Sequence, residues 1–207
     1  MSNVAITGNA SGTGVFTVAS PNSNTDRVLT LPDETGTVIT TATTLTPSAT
    51  NTSITLGTAV ATTSGTSIDF TGIPAGVKRI TVSLNKVSTN GTANLLVQIG
   101  AGGVVETSGY EGHADAGPST GAITTVGVPL TFSNAAGNIR VGGATLVHLG
   151  SNLWVSTSVI IDAPASPVVS IGASVKTLAG VLDRVRITTV DGTDAFDAGS
   201  VNIMWEF

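Results

Sequence analysis

No apolar run in this 207-residue chain is long enough to cross a bilayer. Thr, Ser, Asn or Gly interrupts each one, whereas a membrane-spanning helix needs about 20 consecutive apolar residues. Yet the mean hydropathy is +0.37. An oily chain without such a span must hide its apolar surface against protein. A monomer of this size buries roughly 70% of its unfolded surface and carries about a quarter charged residues. Here only 10% are charged. Much of the exterior is therefore expected to lie against another subunit, which makes the chain an obligate oligomer or part of a larger assembly.

Ser and Thr together make up about a quarter of the residues, well above ordinary usage. Thr and Val have a stiff, branched Cβ that suits pleated, half-buried surfaces and is mediocre in helices. The expected class is all-β. The chain has no cysteine, so neither disulfides nor thiolate metal sites contribute, and stability rests on packing and backbone hydrogen bonds. A net charge of -5, with 8 Lys and Arg and no basic cluster, argues against a nucleic-acid partner. The start, Met1-Ser2-Asn3-Val4, has neither the charged nor the apolar region of a secretion signal.

Two parts of different character follow along the chain. Residues 1–48 hold short strands, Val15 to Val18, Arg27 to Leu31 and Thr37 to Thr40, separated by Pro/Asn/Asp/Gly clusters of the kind meanders use. Strands so short bury little alone, so Val28, Leu29, Leu31, Val38 and Ile39 are expected to pack on the same segment of sister chains. A Thr-rich run with Pro47 leads into a linker at 49–52. Residues 53–207 form the larger part. Ile80, Val82 and Leu84 alternate with Arg79, Thr81 and Ser83. The following Asn90-Gly91 predicts a hairpin returning through Asn94 to Ile99. Further strands are expected at 67–70, 128–132, 144–149, 154–161 and 169–175, with a terminal hairpin of 181–188 against 200–207. This spacing predicts a β-sandwich, jelly-roll-like in character.

The run from Val18 to Thr40 contains Leu31-Pro32-Asp33-Glu34-Thr35-Gly36-Thr37 just after a short strand. Pro32 presets the turn entry, Asp33 can accept from amides ahead of it, and Gly36 supplies a positive φ. This run resembles a segment that recurs in tail-fibre and other virion proteins of tailed bacteriophages. The stretches Ile73 to Ile80 and Leu182 to Ile187 also resemble C-terminal β-domains of such proteins, and together the motifs cover under half the chain. The resemblance implies a homotrimer with an intertwined N-terminal segment and a C-terminal sandwich. It also implies a place in the virion after synthesis in the host cytoplasm, with other virion proteins and a host-surface glycan or protein as partners.

Candidate chemistry is sparse. Gly8 to Gly14 is Gly-rich, but it lacks the Lys-Ser/Thr pair of a phosphate loop. Asp191, Asp194 and Asp197 put three carboxylates in one loop, a weak candidate for a hard cation. The alternative is a hairpin loop in which Phe196 folds inward as a plug. Tyr110, Glu111, His113 and Asp115 lie in the most polar, loop-like stretch of the second part, where a ring beside carboxylates could form a sugar platform. An ordinary exposed loop is the alternative. His148, Trp154 and Trp205 sit in apolar strands and read as structural. There is no cysteine nucleophile, no nucleophile elbow and no paired carboxylate on neighbouring strands. The chain is expected to be no enzyme and to use no cofactor. The expected role is a trimeric tail fibre that contributes to host attachment. A capsid decoration or head-fibre protein is the alternative, and a tailspike polysaccharide depolymerase a more distant one.

Overall fold

The computed structural model describes residues 11–14, 17, 22–26 and 28, and residues 54–207 apart from 118–120, 133 and 164–166. The chain divides into two compact units, Met1–Leu45 and Thr46–Phe207. In the first, the Thr25 amide donates to Ser23 Oγ at 3.1 Å within the expected Pro/Asn turn, and Val28 is exposed. The other expected assembly residues, Leu29, Leu31, Val38 and Ile39, lie outside the described residues, as do the three short strands assigned to that part apart from Thr17 and Val28.

The second unit is all-β, with no helix among the described residues. Its strands are β1 (Thr55–Leu56), β2 (Val60–Ala61), β3 (Ser67–Thr71), β4 (Arg79–Thr89), β5 (Leu95–Ala101), β6 (Val104–Val105), β7 (Tyr110–Asp115), β8 (Ala122–Thr124), β9 (Val128–Pro129), β10 (Ile139–Gly150), β11 (Leu153–Ala163), β12 (Val168–Thr177), β13 (Leu182–Thr189) and β14 (Phe196–Glu206). They form two antiparallel sheets. The nine-stranded sheet runs β1-β14-β4-β10-β11-β12-β7-β8, with β2 also on β14. The five-stranded sheet runs β3-β13-β5-β6, with β9 on β5. One apolar core lies between them, as in a β-sandwich. Ile80, Val82 and Leu84 of β4, with Leu146 and Ile160, meet Leu95, Val97, Ile99, Val185 and Ile187 of the smaller sheet. Each such side chain stabilises the fold by roughly 1.5–3 kcal/mol relative to exposure.

The alternation read at Ile80, Val82 and Leu84 is present, but both expected hairpins are not. After Asn90-Gly91 the chain crosses to the other sheet, so β4 pairs with β10 and β14 while β5 pairs with β13. The turn dipeptide docks instead on the loop before β14. The Asn90 amide donates to the Ala195 carbonyl at 3.0 Å, and Asn90 Oδ1 accepts from the Ala195 amide at 2.9 Å. The physical reason lies in β5, where Leu95 through Gly100 are all buried. A strand apolar on both sides belongs in the middle of a covered sheet, not beside the half-exposed β4. The terminal pair divides in the same way, β13 into the small sheet and β14 into the large one. Tight hairpins form instead at β5–β6, over Gly102-Gly103, and at β10–β11, whose turn residues Ser151 and Asn152 both take positive φ, 49° and 59°, as a two-residue turn of matching twist requires. At the β4–β14 bulge Gly199 has φ +96°, and a Cβ there would lie 2.3 Å from the Lys86 carbonyl oxygen. No larger residue fits that crossing without moving a backbone.

Candidate interaction face

Strands β11 and β12 turn several polar residues inward, in β11 beside the buried Trp154 and Ile160. In β11 the buried positions include Ser156, Ser158 and Asp162, and in β12 Ser170, Ser174 and Lys176. Their apolar neighbours point the other way: Val159 is 54% exposed and Ile171 61%, and Ile161 and Val169 are exposed with them. The inner side takes small polar residues because β9, the short edge strand of the smaller sheet, and the segment after it lie close against it. Ser158 Oγ donates to the Pro129 carbonyl at 2.7 Å, Ser170 Oγ accepts from the Phe132 amide at 3.3 Å, and a Cβ on Gly172 would stand 2.9 Å from the Pro129 oxygen. A one-residue slip would turn the valines inward. The hydrogen-bonded cover over the serines holds the register that keeps them out.

Strand registry arranges the outer face in rows. Val141, Ile161 and Val169 form the first; Gly143, Val159 and Ile171 the second; Thr145, Thr157 and Ala173 the third; Val147, Val155 and Val175 the fourth. None of these residues is charged. On one side the second row continues into Ser83 and Asn202, the third into Thr81 and Met204, and the fourth into the Arg79–Glu206 ion pair of β4 and β14. On the other they meet Asp115, His113 and Glu111 of β7, paired with Ile171, Ala173 and Val175. Beside β7 the edge strand β8 presents Ile123, 81% exposed, opposite His113. Between these strands lies a shallow depression of about 500 Å³ lined by Glu111, His113, Ile123, Val155, Ala173 and Val175.

The stretch expected to be a recognition loop is therefore a strand, and its alternation divides the four candidate residues. Glu111 and His113 are exposed on the outer face and Asp115 is half-buried beside them, its carboxylate accepting the Ala116 amide at 2.6 Å. Tyr110 points inward and is 1% exposed, so it supplies no surface ring. Its hydroxyl accepts the Ile99 amide at 2.8 Å and lies 3.0 Å from the Glu106 carbonyl, pinning β7 to β5 across the two sheets. Burial, opposed by the Ile99 amide and aided by the Glu106 charge, pushes the phenol well above its usual value. Lys176 closes the cluster. Its Nζ pairs with Glu106 at 2.6 Å, donates to the Ser108 carbonyl at 2.9 Å and sits 5.3 Å from the Tyr110 ring centre. Burial raises the Glu106 carboxyl, but the Lys176 hydrogen bond and the Ala179 amide outweigh it and hold it below its ordinary range.

The three aspartates of the last loop are separated by role. Asp191 Oδ1 accepts from Thr189 Oγ1 at 2.8 Å and from the Thr193 amide at 3.0 Å, locking its own turn. Asp194 Oδ2 accepts from the Ala93 amide at 2.8 Å, fastening the Asn90-Gly91 crossing. Asp197 is exposed in β14, after the buried Phe196 that plugs the core as expected. Among the described residues no group of three or more His, Cys, Asp or Glu is placed to hold a metal ion. The Asp191 carboxyl is held down at about 2, chiefly by the Thr193 amide, with slight burial opposing and the Thr189 hydroxyl and Asp194 amide assisting. Its folded value lies below the unfolded value of about 3.9. The stability it contributes is thus complete above about pH 4 and is lost as pH falls through about 2. Asp191→Asn is expected to lower the melting temperature at neutral pH and to flatten its fall between about pH 4 and pH 2 relative to the parent. Parallel melting temperatures across that window would overturn this role.

His148 stacks on the buried Trp154, ring centres 5.0 Å apart, at the end of the sandwich. Trp205 is half-buried and packs against the core. These placements agree with the structural reading of all three. The apolar outer face itself escaped the sequence reading, although Val155, Val159 and Ile161 alternate with serines in plain view. So did the buried Arg140, whose signal is a cation inside an apolar strand.

Comparison with known proteins adds no identity: no family model, no curated protein and no solved structure matches this chain.

Proposed function

We propose that this chain is a structural component of a tailed-phage virion, a homotrimeric tail fibre that contributes to attachment at the host surface. In this reading the second unit is a jelly-roll-like sandwich. The observation that carries the proposal is the exposed apolar outer face of β11 and β12, Val159, Ile161, Val169 and Ile171, opposite an inner side that takes up serines. A free-standing domain gains nothing from that arrangement, whereas an assembly subunit does, because the exposed rows are buried at roughly 25 cal/mol per Å² when copies meet. Low charge and the tail-fibre-like run from Val18 to Thr40 support the same reading. Glu111, His113 and Asp115, at the margin of the apolar rows, are the side chains offered to a host glycan or protein. The absence of a basic cluster agrees with a protein that meets neither nucleic acid nor membrane interior.

Immunogold labelling of intact particles in the electron microscope tests this directly. Label is expected on tail appendages, with purified protein binding host cells. Label on heads, with binding to empty capsids, would replace the fibre with a capsid decoration. Absence of label from purified particles would end the virion reading.

A further inference from the structure

At one end of the sandwich the crossing from β3 to β4, the β10–β11 turn and the start of β13 meet around a cavity of about 210 Å³. Backbone hydrogen bonds frame it: the Ile73 amide donates to the Asp183 carbonyl at 3.1 Å, Lys78 to Glu206 at 2.7 Å, His148 to Lys78 at 2.8 Å and Leu178 to Asn152 at 3.0 Å. The walls are thus fixed before a ligand arrives, which spares it the cost of ordering them. Pro74 and Val181 are among the apolar lining residues, and the polar ones are Lys78, His148, Asn152 and Trp154.

None of these four polar side chains makes a hydrogen bond or ion pair with another described residue. His148 and Trp154 only stack on each other. Trp154 is 4% exposed, yet its indole N–H has no acceptor among the described residues, where a buried indole ordinarily finds one. Charge is arranged in the same sense. Arg79, Arg140, Lys176, Arg184 and Arg186 are each ion-paired, whereas Lys78 has no carboxylate partner among the described residues. No Asp or Glu lines the cavity. The carboxylates of its frame, Asp183 and Glu206, are held by Arg184 and Arg79. In a chain of net charge -5, this cavity offers one free cation and a set of unused donors.

We infer that the cavity binds a carboxylate carried on a single compact ring. Lys78 supplies the countercharge, His148, Asn152 and Trp154 supply neutral donors, and Pro74 and Val181 cover the C–H face of the ring. One cation matches the single charge of a carboxylate, whereas a phosphate monoester carries about -1.5 to -2. The volume lies below the roughly 300–1,000 Å³ of sites for drug-sized ligands, which limits the occupant to one ring. An acidic sugar residue and a free alicyclic acid share this chemistry. The site goes beyond the virion reading and is separate from Glu111, His113 and Asp115, whose carboxylates would repel such a ligand.

Titration of the full-length protein with methyl β-glucuronide, cyclohexanecarboxylate and uncharged methyl β-glucoside, followed by NMR, tests the inference. At least one acid is expected to bind with Kd of about 1 mM or tighter and to move the Trp154 indole signal while leaving that of Trp205 in place. The glucoside should bind at least about tenfold more weakly than that acid, for want of the charge-assisted hydrogen bond. The tighter acid names the source, the glucuronide a glycan and the cyclohexane ring a free acid. Lys78→Gln should weaken the acid about tenfold, and Lys86→Gln, also outside any ion pair among the described residues, should leave it unchanged. Lys78 is exposed, so circular dichroism of Lys78→Gln should match the parent. Failure of both acids to bind by about 10 mM, a glucoside bound as tightly as the acids, or equal weakening by the two lysine variants would each overturn the inference. Particle labelling bears on the virion reading alone, so the two can fail separately.

Discussion

Asp162→Ala is expected to lower the unfolding free energy by about 3–5 kcal/mol, because it strands a buried cation. Arg140 is fully buried and Asp162 is 6% exposed, directly paired across β10 and β11 with Arg140 Nε 3.6 Å from Asp162 Oδ1. The guanidinium is otherwise held by the Asn138 carbonyl at 2.8 Å and the Ala135 carbonyl at 2.9 Å. These neutral acceptors orient it but do not balance its charge. Burial dominates both partners. It raises the Asp162 carboxyl, with Arg140 and Asn138 pulling it back, and lowers the Arg140 guanidinium, with Asp162 and Asp197 opposing. A carboxyl raised on folding binds its proton more tightly in the native state. Urea denaturation at fixed chain concentration measures the effect. The double replacement Arg140→Met with Asp162→Leu should recover most of the loss, since removing both charges leaves neither unpaired. A single Asp162→Ala cost below about 1 kcal/mol would show that water reaches the pair.

Tyr110→Ala is expected to cost about 3–5 kcal/mol, the range for deleting a buried aromatic ring. Tyr110→Phe should cost about 1–3 kcal/mol, because it keeps the ring but leaves the Ile99 amide without its acceptor. The pair separates two roles that the residue type alone does not. A surface sugar platform would lose binding and keep its stability in both variants. The buried pin across β7 and β5 loses stability in both, the larger amount for Ala. Thermal or urea unfolding of the two variants decides between them, and unchanged stability in Tyr110→Ala would remove the pin.

The difference at Tyr110 shows where sequence reading stops. Tyr110 to Pro118 is polar and Gly-bearing, which reads as a loop. The backbone is nevertheless extended through Asp115 because each step pairs with β12, from Lys176 opposite Tyr110 to Ile171 opposite Asp115. Those partners lie about 60 residues away, beyond any local signal. Asn90-Gly91 is the same lesson in reverse. Its local preference for a hairpin is real, but the two strands it would join differ in burial. β4 alternates over most of its length and β5 does not, so the strands enter different sheets and the turn becomes a crossing fastened by Asp194.

The all-β class was legible without coordinates. Branched residues, period-two alternation at Ile80, Val82 and Leu84, and frequent turn residues all act over a few positions, and all three are written locally. An exterior poor in charge was legible as well, from composition. Only the tertiary structure decided which side of each alternating strand faces the core. A pattern such as Val155-Ser156-Thr157-Ser158-Val159 defines two faces and is silent about which one is inside. That choice belongs to what packs above it. Here the segment through Pro129 and Phe132 takes up the serines by hydrogen bonds, and the valines of β11 and β12 are left on the outside.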